Sequence, residues 1–472
     1  MSIFRKLPIN IVKEEIAAIS LSRTLNVYDL IMLGIGAIIG VGAFVLTGIA
    51  AAKFAGPSIT LSYIIAGFIC LLVGLLYVEL ASLSPSSGSS YTFAYISMGE
   101  FIAWMVFWFM MMEYTTGSGM IAVGFGGYFL GIFESMGYKF PSYLNATPFD
   151  GGIMNLPAFI VVWLVTALLT KGTKESSMLN IALVIVKVAA ILVFIFIAIP
   201  HFNLDNWKNF MPYGYPGIAT GTATLVLAYA GFDQLASATE EAKNPKRDLP
   251  IAMFASLAFC AVMYVGIAAS LTLIVPYNTL DNSEPMAYAL RVNGSNIGST
   301  LIAIGALAGI ITSLIVQIYG QSRSLFAISR DGMLPKFMSK IHKKYHTPFL
   351  STYMTGFVVS LVAAFIPLEF ISKLSNVGSL VAFISVALGV LILRKTHPNT
   401  QRGFRCPAVY LVAPLALISC SYLLYDLLKT ALDMTIAWAV IGCAIYFVYG
   451  YRHSILSDRQ YRQSIKIKAY EH

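Results

Sequence analysis

Four glycines lie within nine residues in the middle of the first long apolar segment, Val27 to Ala52: Gly34, Gly36, Gly40 and Gly42. Glycine weakens an α-helix by about 1 kcal/mol per residue relative to alanine, and inside hydrocarbon each freed backbone group must find another partner. A helix broken here exposes the N–H groups of a half-helix, which suit a carboxylate, and unwound carbonyls, which suit an ammonium or a cation. The stretch predicts a site for a ligand with both groups, such as an amino acid; close helix packing is the alternative.

A lysine lies near the centre of the fifth apolar segment, which runs from about Ser177 to Ile199. Lys187 is about ten residues, or roughly 15 Å, from either end of that segment, farther than its side chain can reach toward water. It must therefore be neutral, paired or in a wet cavity, and an ionisable group within a membrane is a functional candidate. A fixed ion pair with Glu113 or Asp233 is the alternative.

Acidic side chains interrupt or end two other apolar segments. We expect Glu113, at the middle of the third segment, to receive a cationic substrate side chain, to line a proton route or to be a structural counter-ion. Asp233 follows a second glycine interruption, where we expect it to cap the next half-helix rather than to sense protons. Glu240 and Glu241 end the sixth segment and are expected to pair with Arg323, as an inner gate or as a static clamp.

The elements that position these residues follow from composition. The chain has 472 residues, of which 58% are hydrophobic and 11% charged, outside the range of soluble globular proteins. Apolar runs of roughly 20 residues, the length that crosses ~30 Å of hydrocarbon, recur from end to end. We count twelve and predict an all-α polytopic membrane protein with twelve transmembrane helices. The runs centre on Gly40, Cys70, Tyr114, Val162, Lys187, Tyr229, Met263, Thr312, Val359, Ile384, Ser419 and Gly442.

The net charge of +9 indicates membrane orientation rather than nucleic-acid binding. If the N-terminus is cytoplasmic, most of the 31 Lys and Arg residues fall in cytoplasmic segments. The positive-inside rule then places both termini in the cytoplasm of a cell-membrane protein, with membrane lipids as its surroundings. The main clusters are Lys243 to Arg247, Arg330 to Lys344, Arg394 to Arg405 and the tail from Arg452.

The glycine interruption near Gly231 lies about 190 residues after the first one, which divides the chain into two halves of five spans. An odd number of spans per half forces opposite orientations, so we predict a 5+5 inverted repeat whose discontinuous helices 1 and 6 meet at the bilayer midplane. The predicted divisions are a cytoplasmic segment 1–26, repeats 27–199 and 216–394, two added helices 409–450 and a cytoplasmic tail 451–472.

The sequence favours a transporter over an enzyme. All six histidines fall outside the predicted spans, and no Gly-x4-Gly-Lys-Ser/Thr loop for ATP occurs. We therefore expect no metal centre and no cofactor, and transport driven by a gradient. A nutrient sensor that binds its ligand without moving it is the other alternative, which the short tail disfavours.

Four motifs in order resemble those of amino acid permeases of the amino acid-polyamine-organocation superfamily, and most closely its cationic amino acid transporter branch. The twelve predicted spans are similar to those of the bacterial members, and the resemblance implies a LeuT-like fold. The motifs are Gly34 to Gly42, Tyr77 to Tyr91, Gly231 to Pro250 and Gly320 to Pro335.

The resemblance also implies the groups that bind the substrate. The backbone N–H groups of Val41 and Gly42 would hold its carboxylate. Four carbonyls would hold its ammonium, those of Ile38, Leu227, Ala228 and Ala230. Leu227 stands where relatives often carry a bulky aromatic gate over the substrate, so Phe232 or Tyr229 is the substitute that we expect.

In proton-coupled members, a lysine ammonium from segment five takes the place of a cation between segments one and eight. Here Lys187 would face the carbonyls of Gly36 and Ile39 and the hydroxyls of Thr312 and Ser313. The resemblance thus implies proton-coupled amino acid import by alternating access, and we expect a functional monomer. Amino acid exchange is the alternative, and the sequence leaves open whether the substrate is neutral or cationic.

Overall fold

The computed structural model describes residues 5–8, 23–84, 86, 88–135, 138, 140–282 and 284–457. Within these residues the regular elements are helices, and the only β pairing is an isolated bridge between Leu25 and Ala242. The first half of the chain contains α1 (Val27–Ile38), α2 (residues 42–55, in short π and α stretches), α3 (Ile59–Leu83), α4 (Ser90–Ser97), α5 (Glu100–Ser135), α6 (Leu156–Lys171) and α7 (Thr173–Ala198).

The second half begins with α8 (Gly214–Tyr229) and the 3₁₀ helix Phe232–Glu241. It continues with α9 (Pro245–Ile274), α10 (Pro285–Val292), α11 (Asn296–Arg330), α12 (Phe349–Phe365), α13 (Leu368–Thr396) and α14 (Val409–Ile445). A non-helical Ala431 divides α14 into two helices.

The first apolar segment is a helix in two pieces. Asn26 begins α1 with a capping box: its side chain accepts from the Asp29 N–H, and the Asp29 carboxylate accepts from the Asn26 N–H. The helix ends at Ile38, because Ile39 adopts an extended conformation with ψ 98°. Helical structure resumes as α2, so the glycine-rich stretch predicted to break the helix does so.

The sixth apolar segment is also interrupted. α8 ends at Tyr229, and Gly231 has a φ of +117°, a left-handed conformation that costs glycine little. The chain then continues as the ten-residue 3₁₀ helix, whose end joins the start of α1: Leu25 N–H donates to the Glu241 carbonyl at 3.1 Å. The two interrupted segments are therefore tied together at one end.

The two breaks lie against each other inside the helix bundle. α1 packs against α7, α9 and α11, while α8 packs against α3 and α2. A Cβ added to Gly42 would lie 2.7 Å from the Ala228 Cα, and one added to Gly231 would lie 2.9 Å from the Ala37 Cβ. The same glycines therefore break the helices and allow the two unwound segments to pack closely.

The described residues include seven helices long and apolar enough to cross a membrane by length and composition, as expected of a polytopic membrane protein. One of these stretches, Val27–Leu83, contains α1, α2 and α3, and α6 and α12 are shorter apolar helices. The most apolar window of Asn296–Arg330 is 78% buried, whereas those of Val409–Lys429 and Ala431–His453 are 22% buried. The bundle therefore centres on α11, and α14 lies at its periphery.

The first described residues and the end of the last helix meet at one face of the bundle. Arg5 donates to the fully buried Glu100 carboxylate at 2.9 Å and to the carbonyls of Tyr451 and Leu456 at 3.2 and 3.1 Å. The Ser454 hydroxyl donates to the same carboxylate at 2.8 Å. This shared contact places both ends of the described chain on the same side.

Candidate functional site

The break in the first helix presents free backbone donors. Ala43 and Phe44 N–H groups donate to the Gly40 carbonyl at 3.0 and 3.3 Å, which begins the new helix. The N–H groups of Gly40, Val41 and Gly42 have no acceptor among the described residues. Three consecutive free amides at a helix N-terminus form a site for an anion such as a carboxylate.

Unwound carbonyls surround the same break, and a tyrosine holds two of them. The Tyr264 hydroxyl of α9 lies 2.7 Å from the Ile38 carbonyl and 2.7 Å from the Ala228 carbonyl. Two of the carbonyls expected to bind a substrate ammonium therefore share the single hydrogen of this hydroxyl. Leu227 lies within helix α8, and Ala230 lies in the second break and lines the cavity described below.

Asp233 organises the second break. Its carboxylate accepts from the Gly231 N–H at 3.1 Å and from the Tyr114 hydroxyl at 3.3 Å. The Ser89 hydroxyl donates to its backbone carbonyl at 3.3 Å. These contacts join Gly231 to the first turn of the 3₁₀ helix and connect that helix with α5, without a side-chain cap, among the described residues, on the N–H groups of the helix itself.

Lys187 reaches from α7 to the end of α1. Its Nζ donates to the carbonyls of Ile35 and Gly36 at 3.0 Å each and to that of Ile39 at 2.6 Å. A fourth contact runs to the Thr312 hydroxyl of α11 at 2.8 Å. The side chain is fully buried, and among the described residues it forms no ion pair.

The structure lacks the alternative considered for this lysine and differs from one of the contacts expected of it. The ion pair with Glu113 or Asp233 is absent from the described residues, because carbonyl oxygens surround the ammonium instead. Ser313 donates to the same unwound backbone, at 3.1 Å from the Gly36 carbonyl and 3.4 Å from the Ile39 carbonyl, rather than contacting Nζ. The lysine and Ser313 together fasten the end of α1 to α7 and α11.

A cavity of about 40 Å³ lies between the two breaks. By volume it holds about three water molecules, so a substrate larger than these needs the surrounding helices to move apart. Its lining includes most of the residues predicted to bind substrate. These are Ile38, Val41, Gly42, Glu113, Ala228 and Ala230, joined by Gly40, Leu46, Met120, Ile121, Ser313, Gln317 and Ser375 among others.

Glu113 contributes a carboxylate to this cavity from the middle of α5. The residue is 1% exposed, and neither carboxylate oxygen has a hydrogen-bond partner among the described residues. The Gln317 Oε1 and the Ser375 hydroxyl, which line the same cavity, are also unpartnered there. Unpaired buried polar groups are costly, so this wall suits a ligand or water that brings hydrogen-bond donors.

Two buried ion pairs join the 3₁₀ helix to α11. Arg323 donates to Glu241 at 2.9 Å with both side chains almost fully buried, and Arg330 contacts Glu240 at 3.4 Å. The expectation that both acids pair with Arg323 is therefore corrected. In a 3₁₀ helix consecutive side chains point about 120° apart, so adjacent acids meet arginines two turns apart on α11.

Neither aromatic expected as a gate lines the cavity. Phe232 packs against Tyr77 and Phe383, with ring centroids 5.8 and 5.2 Å away. The Tyr229 hydroxyl donates to the Tyr63 carbonyl at 3.1 Å, and its ring packs against Tyr63 and Tyr264. Both rings stabilise helix packing behind the second break.

Sequence reasoning missed Tyr264 and the Ile35 carbonyl. Tyr264 is one of several tyrosines within apolar segments, and nothing in its local pattern shows that it spans two breaks. The Ile35 carbonyl, in the last turn of α1, accepts from the Ile39 N–H at 3.1 Å and also from Lys187 Nζ. For Tyr264, the available signal in the sequence was a hydroxyl within an otherwise apolar span.

Most of the chain is similar to known permeases and transporters. A family model described as amino acid permease matches residues 25–449. The methylthioribose transporter of Bacillus subtilis is 38% identical over 458 residues, covering 97% of this chain and 99% of that protein. The branched-chain amino acid permease BcaP of the same organism is 39% identical, with 97% and 99% covered. The chloroplastic cationic amino acid transporter 9 of Arabidopsis thaliana is 37% identical, with 79% and 67% covered.

Proposed function

The chain belongs to the amino acid permease family, and from that premise we propose that it imports an amino acid together with a proton by alternating access. Three consecutive free amides at the first break suit the substrate carboxylate. Ile38, Ala228 and Ala230, whose carbonyls we assign to the substrate ammonium, line the same small cavity. Backbone groups recognise the end shared by all amino acids and leave selectivity to the side-chain pocket.

The contact of Lys187 with the end of α1 carries the proposal of proton coupling. A protonated amine has three donors, which here serve carbonyls of α1 and the Thr312 hydroxyl. A neutral amine has two donors and no charge, so its hold on the broken helix is weaker. Because the free amides lie a few residues beyond these carbonyls, proton and substrate affect each other's binding reciprocally.

We further propose twelve crossings in a LeuT-like arrangement of two inverted repeats, 27–199 and 216–394, followed by two helices in 409–450. The seven long apolar helices and the two interrupted segments support this arrangement. The contact of Arg5 with Tyr451 and Leu456 supports an even number of crossings. The distribution of basic residues supports cytoplasmic termini in the cell membrane.

The cavity wall limits the substrate side chain. Met120 and Ile121 offer apolar contacts, while Glu113 and Gln317 offer acceptors without partners. We propose a substrate whose side chain carries a hydrogen-bond donor or a positive charge. Since Glu113 is buried, a purely aliphatic side chain would leave its carboxylate group unpartnered.

A second candidate substrate is a thio-sugar. The methylthioribose transporter aligns over nearly the whole chain, and the unpartnered acceptors of Glu113, Gln317 and Ser375 suit sugar hydroxyls. Such a ligand has no carboxylate for the amides of the first break. Competition between the two ligand classes therefore distinguishes the candidates.

Uptake into proteoliposomes tests the proposal. Purified protein is given labelled neutral and cationic amino acids and methylthioribose, with and without an acidic exterior, and with and without sodium. We expect one class of amino acid to accumulate when the exterior is acidic, independently of sodium. Exchange without pH-driven accumulation would indicate an exchanger, binding without uptake a sensor, and uptake of methylthioribose alone the second candidate.

A further inference from the structure

One buried face of α7 carries Lys187 together with a second polar side chain. The buried residues Ser177, Asn180, Val184 and Lys187 follow one another at spacings of three and four, which places them on one side of the helix. Met178 on the opposite side is 64% exposed. Asn180, at 1% exposed, therefore faces the same neighbouring helices as Lys187, two turns closer to the start of α7.

Asn180 and Lys187 contact the same stretch of α1. The Asn180 amide donates to the Met32 carbonyl at 3.0 Å, and its Oδ1 has no partner among the described residues. A Cβ added to Gly36 would lie 2.5 Å from that Oδ1, while the Gly36 carbonyl accepts from Lys187 Nζ at 3.0 Å. The unpartnered oxygen and the ammonium thus lie on either side of Gly36.

A cavity of about 400 Å³ lies at the start of both helices. It is lined by Asn26 and Asp29 of α1, by Ser177 of α7 and by Arg23 and Lys243 among others. Ser177 is three residues, or about one helical turn, before Asn180. The polar face of α7 therefore runs from this cavity past Asn180 to Lys187.

We propose that the proton of Lys187 leaves along the seam between α1 and α7 toward this cavity, and that Asn180 positions the water that receives it. The inference rests on the proposed role of Lys187. In the step, one N–H bond of the ammonium breaks, the proton passes to water, and a neutral amine remains. Asn180 Oδ1 accepts a hydrogen bond from that water, since the oxygen has no donor among the described residues.

The charges around the seam favour water as the acceptor. Residues 30–38 of α1 and 177–186 of α7 contain no acidic side chain. Among the described residues, Cys260 of α9 is the titratable side chain near Lys187, and α11 contributes the Thr312 hydroxyl. Asp29, Arg23 and Lys243 lie only at the cavity end.

Three variants of the full protein in proteoliposomes test the inference. Asn180→Leu is close in size and removes both polar atoms, whereas Asn180→Ser keeps a hydroxyl and leaves room for water. Thr347→Val is the matched control. It removes another buried hydrogen bond of 3.0 Å, from the Thr347 hydroxyl to the Thr170 carbonyl. If Asn180→Leu does not insert, Asn180→Val replaces it.

Exchange and pH-driven accumulation are measured for each variant. Exchange needs no proton release, so we expect Asn180→Leu to keep it within about twofold. We expect pH-driven accumulation to slow about tenfold, the effect of one hydrogen bond lost from the water that receives the proton. We expect Asn180→Ser and Thr347→Val to retain both activities. Unchanged pH-driven accumulation in Asn180→Leu would overturn the inference. So would a loss of accumulation in Asn180→Ser equal to that in Asn180→Leu, because it would indicate that the Asn180 hydrogen bond is purely structural.

Lys187→Met separates this inference from the one on which it rests. If Lys187→Met abolishes pH-driven accumulation while Asn180→Leu leaves it intact, only the role of Asn180 is refuted. If Lys187→Met still accumulates substrate in response to pH, the coupling role of Lys187 is refuted, and the role of Asn180 with it.

Discussion

Substituting Gly42 by alanine perturbs the predicted carboxylate site with a single added carbon. The new Cβ would lie 2.7 Å from both the Cα and the Cβ of Ala228. Ordinary carbon contacts begin near 3.5 Å, so the two breaks must separate by about 0.8 Å. A hydrogen bond of about 2.9 Å from the Gly42 amide would then exceed the usual limit of about 3.2 Å.

The expected loss follows from that one bond. A hydrogen bond to a charged group contributes about 1.5–3 kcal/mol, so substrate affinity should fall roughly 10- to 150-fold. The measurement is a thermal-shift titration of the purified protein with the substrate found in the uptake assay. Gly127→Ala of α5 is the control, because a Cβ there meets nothing within 4 Å.

A parental dissociation constant for Gly42→Ala would refute this reasoning and return the glycine to a packing role only. Weaker binding in Gly127→Ala as well would show that the assay reports general destabilisation. Comparison of melting temperatures without substrate separates the two effects, since only Gly42 borders the cavity.

Three further predictions concern other parts of the structure. Tyr264→Phe removes the hydroxyl that contacts two carbonyls, so we expect the free energy of unfolding of the substrate-free protein to fall by about 1–3 kcal/mol and the substrate ammonium to bind more tightly. Melting curves with and without substrate measure both effects, and an unchanged melting temperature contradicts the prediction. Arg323→Met leaves the buried Glu241 carboxylate unpaired and should lower the free energy of unfolding by about 3–5 kcal/mol, measured by denaturant or thermal unfolding. The double variant Arg323→Met, Glu241→Gln should recover stability, and equal stability of the single and double variants argues against the pair. Cysteine placed at Asn282 should react with an impermeant reagent from outside intact cells and cysteine at His397 only after permeabilisation, and the reverse pattern would invert the proposed topology.

The broken helices and the deep lysine were predictable because each violates a rule of the bilayer. Gly34 to Gly42 is a poor helix sequence, and α1 indeed ends at Ile38. Lys187 lies too far from water for its side chain to reach it, so it needed buried oxygen partners. Both features follow from the local sequence and the thickness of the membrane alone.

The partners of polar groups on other helices were less predictable. Tyr264 and Asn180 bond to backbone carbonyls of α1, and no periodicity in α9 or α7 identifies those acceptors. The pairing of Glu240 with Arg330 depends on a 3₁₀ conformation that the sequence did not indicate. Such contacts depend on how helices distant in the chain are rotated against each other.

Proton-driven uptake by Lys187→Met tests the central claim most directly. The substitution keeps most of the side-chain length but removes the charge and the Nζ hydrogen bonds to the carbonyls of Ile35, Gly36 and Ile39. Accumulation of labelled amino acid is followed in proteoliposomes with an acidic exterior, beside the parent protein and in the absence of sodium. The account predicts that the parent concentrates substrate and that Lys187→Met does not. Concentration of substrate by Lys187→Met under the same gradient would contradict the account and shift the coupled proton to Glu113 or Asp233.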